Sequence, residues 1–258
     1  MAKIGLKYPV WRSTTTSECG VIAKAIQADI AISVNDVKLY ADDAIAESDK
    51  SFQSGTLTLG VDDLSDAVQT AFLGHTVNEG EITASGTDQN PYVGIGFYGV
   101  KVVGGVRKFR AIWLPKVQFA EPADTNATKG DTVAFATPVL EGTIMLDENG
   151  DWKKEKTFNS EAEAIAYLQA KSGVKPQCTK PTATPGGGSY ESEQTVVLTA
   201  GAGETIKYTT NGTTPSATNG TEFSGDIEIS ETCALKAIAI KAEMNDSEVA
   251  TYEYFITG

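Results

Sequence analysis

The chemistry this sequence could carry is limited by its few reactive side chains. His75 is the one histidine, so any histidine-based triad would have to use it. It follows Gly74 at the end of a helical pattern, where capping or packing is the commoner role. Gly94-Ile95-Gly96-Phe97-Tyr98-Gly99 has the spacing of a dinucleotide-binding fingerprint. That chemistry requires the glycines to open a helix whose N-terminus meets a phosphate. Here they sit among alternating Val93, Ile95 and Phe97 with no helix signal behind them, so the reading is close packing or a bulge. Asp147, Asn149 and Asp151 have the spacing of the first ligands of an EF-hand loop. Position six would be Trp152 and position twelve Phe158, which points to a hairpin turn at Asn149-Gly150. Asp42/Asp43 and Asp62/Asp63 are consecutive, so each pair diverges and suits loops and caps rather than a glycosidase pair. Cys19, Cys178 and Cys233 are odd in number and far apart, which fits neither a disulfide framework nor a metal site. Asn126, Asn211, Asn219 and Asn245 head glycosylation sequons that matter only in a secreted chain. Tyr190, Tyr208, Phe223, Tyr252 and Tyr254 are a candidate sugar-stacking platform, with core packing as the alternative. No catalytic residue, cofactor or metal is expected.

The elements that would position these residues are mostly strands. Ala23–Val34, Thr56–Val61, Pro91–Val103, Lys108–Ala120, Asp131–Ala136 and Val139–Leu146 carry period-two apolar or β-branched residues. Gly104-Gly105 joins two of them as a tight turn. Leu64, Val68, Ala71 and Phe72 have helical spacing over Asp63–Gly74, with Asp62, Asp63 and Ser65 as cap candidates and Gly74 as the C-cap. Leu64, Val68 and Phe72 are its packing residues, expected against a sheet edge. Asn159–Ala170 predicts a second short amphipathic helix. Thr76–Asn90 reads as a polar connection. Tyr40–Gln53 is acidic, has no apolar period and predicts an extended loop. Loops beyond about 12–15 residues are usually functional or disordered. We therefore expect this one to be ordered by a second copy of the chain, through Tyr40, Asp42, Asp43, Glu47, Asp49, Lys50, Phe52 and Gln53. The N-terminal arm and the Glu121–Gly130 connection are further contact candidates.

Composition bounds the function. The 258 residues include 25 glycines and carry a net charge of −13. Such a chain does not grip nucleic-acid phosphate, which needs a basic face. It suits a surface that DNA passes without sticking, or equally a chain that its charge keeps soluble. No apolar run approaches a membrane span, and the first residues lack the pattern of a signal peptide. Residues 171–188 hold three prolines and four glycines, the composition of a linker. The remaining residues alternate regularly between turn signals, as in a small Ig-like sandwich. The expected domains are 1–170, a linker at 171–184, and 185–258. The fold class is mainly β: an antiparallel β-sandwich or rolled sheet with one flanking helix, followed by the small sandwich.

Two resemblances accompany this reading. YADD (Tyr40–Asp43), AES (Ala46–Ser48), GTLTLGVDDLS (Gly55–Ser65), LGH (Leu73–His75), PYVGIGF (Pro91–Phe97), FRAIWLPKVQFAEP (Phe109–Pro122) and ATKGDTVAFATPVLEGTI (Ala127–Ile144) occur in order. Over roughly residues 3–155 the chain resembles the tail tube protein, or major tail protein, of long-tailed non-contractile bacteriophages. That resemblance implies a structural virion protein made in the host cytoplasm, forming six-membered rings stacked into a tube. It implies a tape measure protein in the lumen, tail terminator and distal tail proteins at the ends, and transient passage of DNA. Pro185–Thr199, Ile206–Ser216, Ala234–Lys241 and Thr251–Ile256 resemble the C-terminal β-sandwich domain of chitobiases and β-hexosaminidases. That domain is an accessory there and implies no hydrolase activity. It leaves weak contact with host-surface glycans as an expectation. The rival reading is a secreted carbohydrate-binding β-sandwich protein.

Overall fold

β-branched and aromatic residues at alternating positions build most of this chain into antiparallel sheets. The computed structural model describes residues 3–22, 24–41, 44–123 and 137–257. It divides into two units, Met1–Val174 and Lys175–Gly258. The division falls inside the expected linker at 171–184. Residues 171 and 172 end a helix of the first unit, and Cys178 and Thr182–Thr184 are built into the second.

The strands of the first unit are β1 (Lys3–Ser13), β2 (Cys19–Val21), β3 (Ala25–Val34), β4 (Val37–Ala41), β5 (Ala44–Asp49), β6 (Phe52–Val61), β7 (Thr76–Asn78), β8 (Glu81–Thr83), β9 (Tyr92–Val103), β10 (Val106–Phe119), β11 (Val139–Ile144) and β12 (Lys154–Phe158). Its helices are α1 (Asp66–Leu73) and α2 (Glu161–Ser172). Among the described residues the main sheet runs β2–β1–β9–β10–β11–β6–β3, with β12 also on β10. β2 and β3 stand at opposite ends of that order yet are joined by only residues 22–24. The sheet therefore rolls until its ends approach, and the Ile22 amide donates to the Pro9 carbonyl at 2.8 Å.

Rolling gives the sheet an inner and an outer face. Trp11, Ile95 and Leu114 share one cross-strand row and join the inner core with Leu57, Leu59, Val93 and Phe97. Val10, Gly96 and Trp113 form the adjacent row on the outer face, which α2 covers with Ala164 and Leu168. α1 does not pack the sheet edge as expected. It fills the inner core: Phe72 stacks on Phe119 at 4.7 Å and meets Trp11 edge-on at 5.8 Å. Val68 is buried beside it, while Leu64 lies ahead of the helix and packs on the core from there. Ser65 is the N-cap without a side-chain bond, and Asp63 Oδ1 accepts from the Leu64 amide at 2.8 Å instead. Gly74 closes the helix in the left-handed conformation, as its sequence position indicated. α2 has a capping box, in which Ser160 accepts from the Glu163 amide and the Glu163 carboxylate accepts from the Ser160 amide.

Three local expectations are corrected. The N-terminus is no free arm: β1 pairs with β9 from Lys3 to Ser13 and with β2 at Val10–Arg12. Thr76–Asn90 contains the β7–β8 hairpin, which turns at Glu79 and Gly80, both at positive φ. Most importantly, Tyr40–Gln53 is not an extended loop. β4 and β5 pair from Val37↔Asp49 to Ala41↔Ala44, and Phe52 and Gln53 already belong to β6. Acidic residues do not prevent a backbone ladder, and β-formers such as Val37, Leu39 and Ile45 favour one. Asp42 and Asp43, the strand expected at Asp131–Ala136, and residues 124–130 of the Glu121–Gly130 connection lie outside the described residues.

The second unit holds β13 (Thr182–Thr184), β14 (Gly188–Tyr190), β15 (Gln194–Thr199), β16 (Thr205–Thr209), β17 (Thr221–Glu222), β18 (Ile227–Ile229), β19 (Cys233–Ile240) and β20 (Ala250–Ile256). They form one sheet β13–β15–β18 and another β14–β20–β19–β16–β17. Val196, Leu198, Ile227 and Ile229 of the first meet Ile206, Leu235, Ala237 and Tyr254 of the second. Tyr254 is fully buried and donates to the Pro185 carbonyl at 2.7 Å. Burial first, and neighbouring tyrosines second, push its phenol up to about 12. The raised folded-state value makes its contribution complete below the unfolded-state value of 10.0 and lost as pH rises through about 12. Tyr254→Phe is expected to cost about 1 kcal/mol at neutral pH. It should also flatten the alkaline decline of residues 175–258, read as denaturation midpoints between neutral pH and pH 12. An unchanged alkaline slope in the variant would refute this assignment.

Candidate functional site

His75 is buried at the end of α1 and donates from Nε2 to Glu121 Oε2 at 3.1 Å. Its Nδ1 is buried without a hydrogen-bond partner among the described residues. The imidazole thus joins the helix end to the exit of β10, and its one bonded neighbour is a carboxylate rather than a nucleophile. Asp147 uses its carboxylate within its own turn, where Oδ1 accepts from the Asn149 and Asp151 amides at 2.9 and 2.8 Å. The Asp151 amide bond is the main reason its carboxyl lies below the ordinary range. Lys154 sits 3.0 Å from Asp151, where an EF-hand would place a cation. The residues of the calcium-like spacing therefore form a lysine-closed turn. Among the described residues no group of three or more His, Cys, Asp or Glu side chains gathers to hold a metal. Cys178 is buried, and that burial raises its thiol above the ordinary value.

The fingerprint glycines lie in the middle of β9, with no phosphate-facing helix behind them. A Cβ on Gly94 would lie 2.5 Å from Trp113 Cζ2, and one on Gly96 2.7 Å from Trp113 Cε3. The glycines make a flat floor for the indole beneath α2. The next residue of the motif's face, Tyr98, donates its hydroxyl to Glu161, which Lys7 also approaches at 3.3 Å. Burial foremost, then the Glu161 bond, holds the Tyr98 phenol well above its ordinary value, and the same bond lowers the Glu161 carboxyl. This trio ties the start of α2 to β9 and β1.

The five aromatics of the second unit do not assemble a stacking platform. Tyr254 is in its core, and Tyr190, Tyr208, Phe223 and Tyr252 pack against that core. The hydroxyls of Tyr190 and Tyr252 are spent on the carbonyls of Gly186 and Pro181 at 2.7 and 2.8 Å. The Tyr208–Ser216 stretch closes on itself: Asn211 Oδ1 accepts from the Thr213 hydroxyl at 2.7 Å, and Lys236 caps the Gly212 carbonyl at 2.7 Å. These polar groups are used in holding the loop.

What remains is the β4–β5 hairpin. Of the eight residues singled out there, Tyr40, Glu47 and Asp49 lie on its two strands. Lys50 follows them and is exposed. Phe52 is half-buried on β6, where it pairs with Val34 and stacks on Trp152 at 5.0 Å against the inner core. Gln53 accepts from the Ser33 hydroxyl at 3.3 Å on the exposed side of β6. Among the described residues β4 and β5 pair only with each other. The Asn35 amide donates to the Ser51 carbonyl at 2.9 Å, so the hairpin leaves and re-enters the sheet at one point.

Residues 185–251 match the family of the chitobiase/beta-hexosaminidase C-terminal domain, a non-catalytic Ig-like module. The search among curated proteins found no match to this chain.

Proposed function

We propose that this chain is the tail tube subunit of a long-tailed, non-contractile bacteriophage. Six copies form a ring, and stacked rings form a tube around a tape measure protein. Tail terminator and distal tail proteins bound the tube, and DNA later passes through it without specific binding. The second unit is an accessory module displayed on the virion. One observation carries this reading: an acidic two-stranded hairpin stands apart from the main sheet and pairs only with itself among the described residues. Isolated hairpins are marginal in water, so contacts beyond the chain are the natural source of its order. The ordered segments that resemble tail tube proteins surround that hairpin in sequence. The charge agrees, since residues 1–175 hold 17 Lys and Arg against 23 Asp and Glu.

Negative-stain microscopy of the purified chain tests the proposal. Tubes or six-fold rings are expected, and monodisperse monomers at all concentrations would remove it. The tubes should leave duplex DNA unbound even at low salt, because an acidic wall repels phosphate. A fragment ending at Val174 should also assemble. The cut belongs there rather than near Lys171, because Ser172 and Val174 are buried in the first unit. Loss of assembly in a fragment that still folds would mean that the second unit supplies a necessary contact.

A further inference from the structure

The rolled sheet of the first unit is open along part of its wall. β2 pairs with β1 only at Val10–Arg12, and β3 begins at Ala25. Beyond that junction, residues 3–7 of β1 pair with β9 alone and residues 28–34 of β3 pair with β6 alone, among the described residues. Two strand edges therefore face a gap, and a cavity of about 700 Å³ lies between them. Leu6, Ile30, Ile32, Phe97, Ile112 and Trp152 give it an apolar lining. Unpaired edges beside apolar surface are a template for an added strand.

The charge at this opening is the reverse of the chain's. Lys101, Arg110 and Lys153 line it against Asp29 and Glu155. Arg110 and Lys153 both pair with Glu155, the latter at 3.0 Å. Lys3, Lys101 and Lys108 occupy one cross-strand row through β1, β9 and β10. Like charges directly opposite destabilise a sheet unless an anion lies against them. Residues 36–50 offer that anion: Asp36, Asp42, Asp43, Glu47 and Asp49 stand against Lys38 and Lys50. Length agrees as well. β4 has five residues and β5 six, and the free part of β1 spans residues 3–7. Each is a strand of roughly 17–20 Å.

We infer that the opening between β1 and β3 receives the acidic β4–β5 hairpin of a second copy, whose carboxylates neutralise the lysine row. The inference rests on the tube-subunit reading for the identity of the partner. Each hairpin would add its two strands to the next copy's sheet, one against each open edge.

Charge exchange in the full chain tests it. Lys101→Glu and Glu47→Lys should each raise the concentration needed for assembly roughly tenfold, through like-charge contact, and the double variant should recover most of that loss. Sedimentation reads the assembled fraction. A carbodiimide cross-link in the unmodified protein gives a measure that needs no variant to fold. Mixed isotopically light and heavy copies should yield light–heavy links from Lys101 or Lys153 to carboxylates of residues 36–49. Tubes that ignore the exchange, or links found only within one copy, would overturn the opening as a socket and leave the tube reading standing. Association that follows the exchange without forming tubes would support the socket and overturn the tube. A chain that stays monomeric at every concentration would overturn both.

Discussion

Replacing Val37–Asp49 with a short Gly/Ser turn is expected to give a folded protein that no longer assembles. The Asn35–Ser51 backbone bond already brings the flanks together at 2.9 Å, and Val34 registers with Phe52 just inside it. A tight turn can close β3 onto β6 at that point without disturbing the ladder. Phe52 must be kept, because its stack on Trp152 belongs to the inner core. An excision running to Gln53 would mix a packing defect with an assembly defect. With the core intact, the thermal midpoint should move by no more than a surface change of about 0.5–1 kcal/mol would cause. The assembled fraction in sedimentation should fall to background. If the shortened chain still polymerises at normal yield, the hairpin is not the contact, and both the proposed socket and the self-assembly argument lose their main support.

The sequence disclosed the strands that carry runs of apolar and β-branched residues. β6, β9, β10 and β11 each lie within about two residues of the expected start apart from β6, which begins at Phe52 rather than Thr56. Gly104 and Gly105 both adopt positive φ between Val103 and Val106, the geometry a two-residue turn demands. The Asn/Ser cap, the early glutamates and Ile165 with Leu168 together announced α2.

β1 was hidden because its period is broken twice. The register shifts at Gly5 and again between Lys7 and Val10, where Tyr8 takes a positive φ ahead of Pro9. Each bulge moves the apolar residues to the other face, so no run of alternation survives. β4 and β5 were hidden for another reason. In a sequence, acids signal polarity, and polarity says nothing about whether backbone groups pair. The residues 171–184 misled by composition: Pro176 and Pro181 look like linker, yet the Asn245 amide donates to the Pro176 carbonyl at 2.8 Å and the Cys178 amide to the Asn245 carbonyl at 2.9 Å. Of the residues named for self-contact, Glu47 and Asp49 lie on the hairpin while Phe52 packs against the core. An aromatic next to an acidic run is better assigned by the strand it begins than by the loop it follows.

Gly96→Ala is expected to destabilise the first unit although alanine suits a strand better than glycine does. The new methyl would stand 2.7 Å from Trp113 Cε3 and 2.9 Å from Leu168 Cδ2, with β9 fixed between β1 and β10. Neither neighbour has room to yield: Trp113 of β10 and Leu168 of α2 are both buried in one cluster. Overpacking of this kind typically costs about 1–3 kcal/mol, and Gly96→Val should exceed that. Trp113→Ala removes the indole instead and should cost about 3–5 kcal/mol through the cavity it leaves. The two changes are coupled if the glycine exists to seat the tryptophan. In the Trp113→Ala background, Gly96→Ala should then cost little or become favourable, because its methyl enters vacated space. Urea denaturation followed by tryptophan fluorescence suits this cycle, since Trp11 and Trp152 remain in the same unit. Equal costs of Gly96→Ala in both backgrounds would show that the glycine serves something other than the indole. That result would reopen the question of why a phosphate-binding spacing lies in the middle of a sheet.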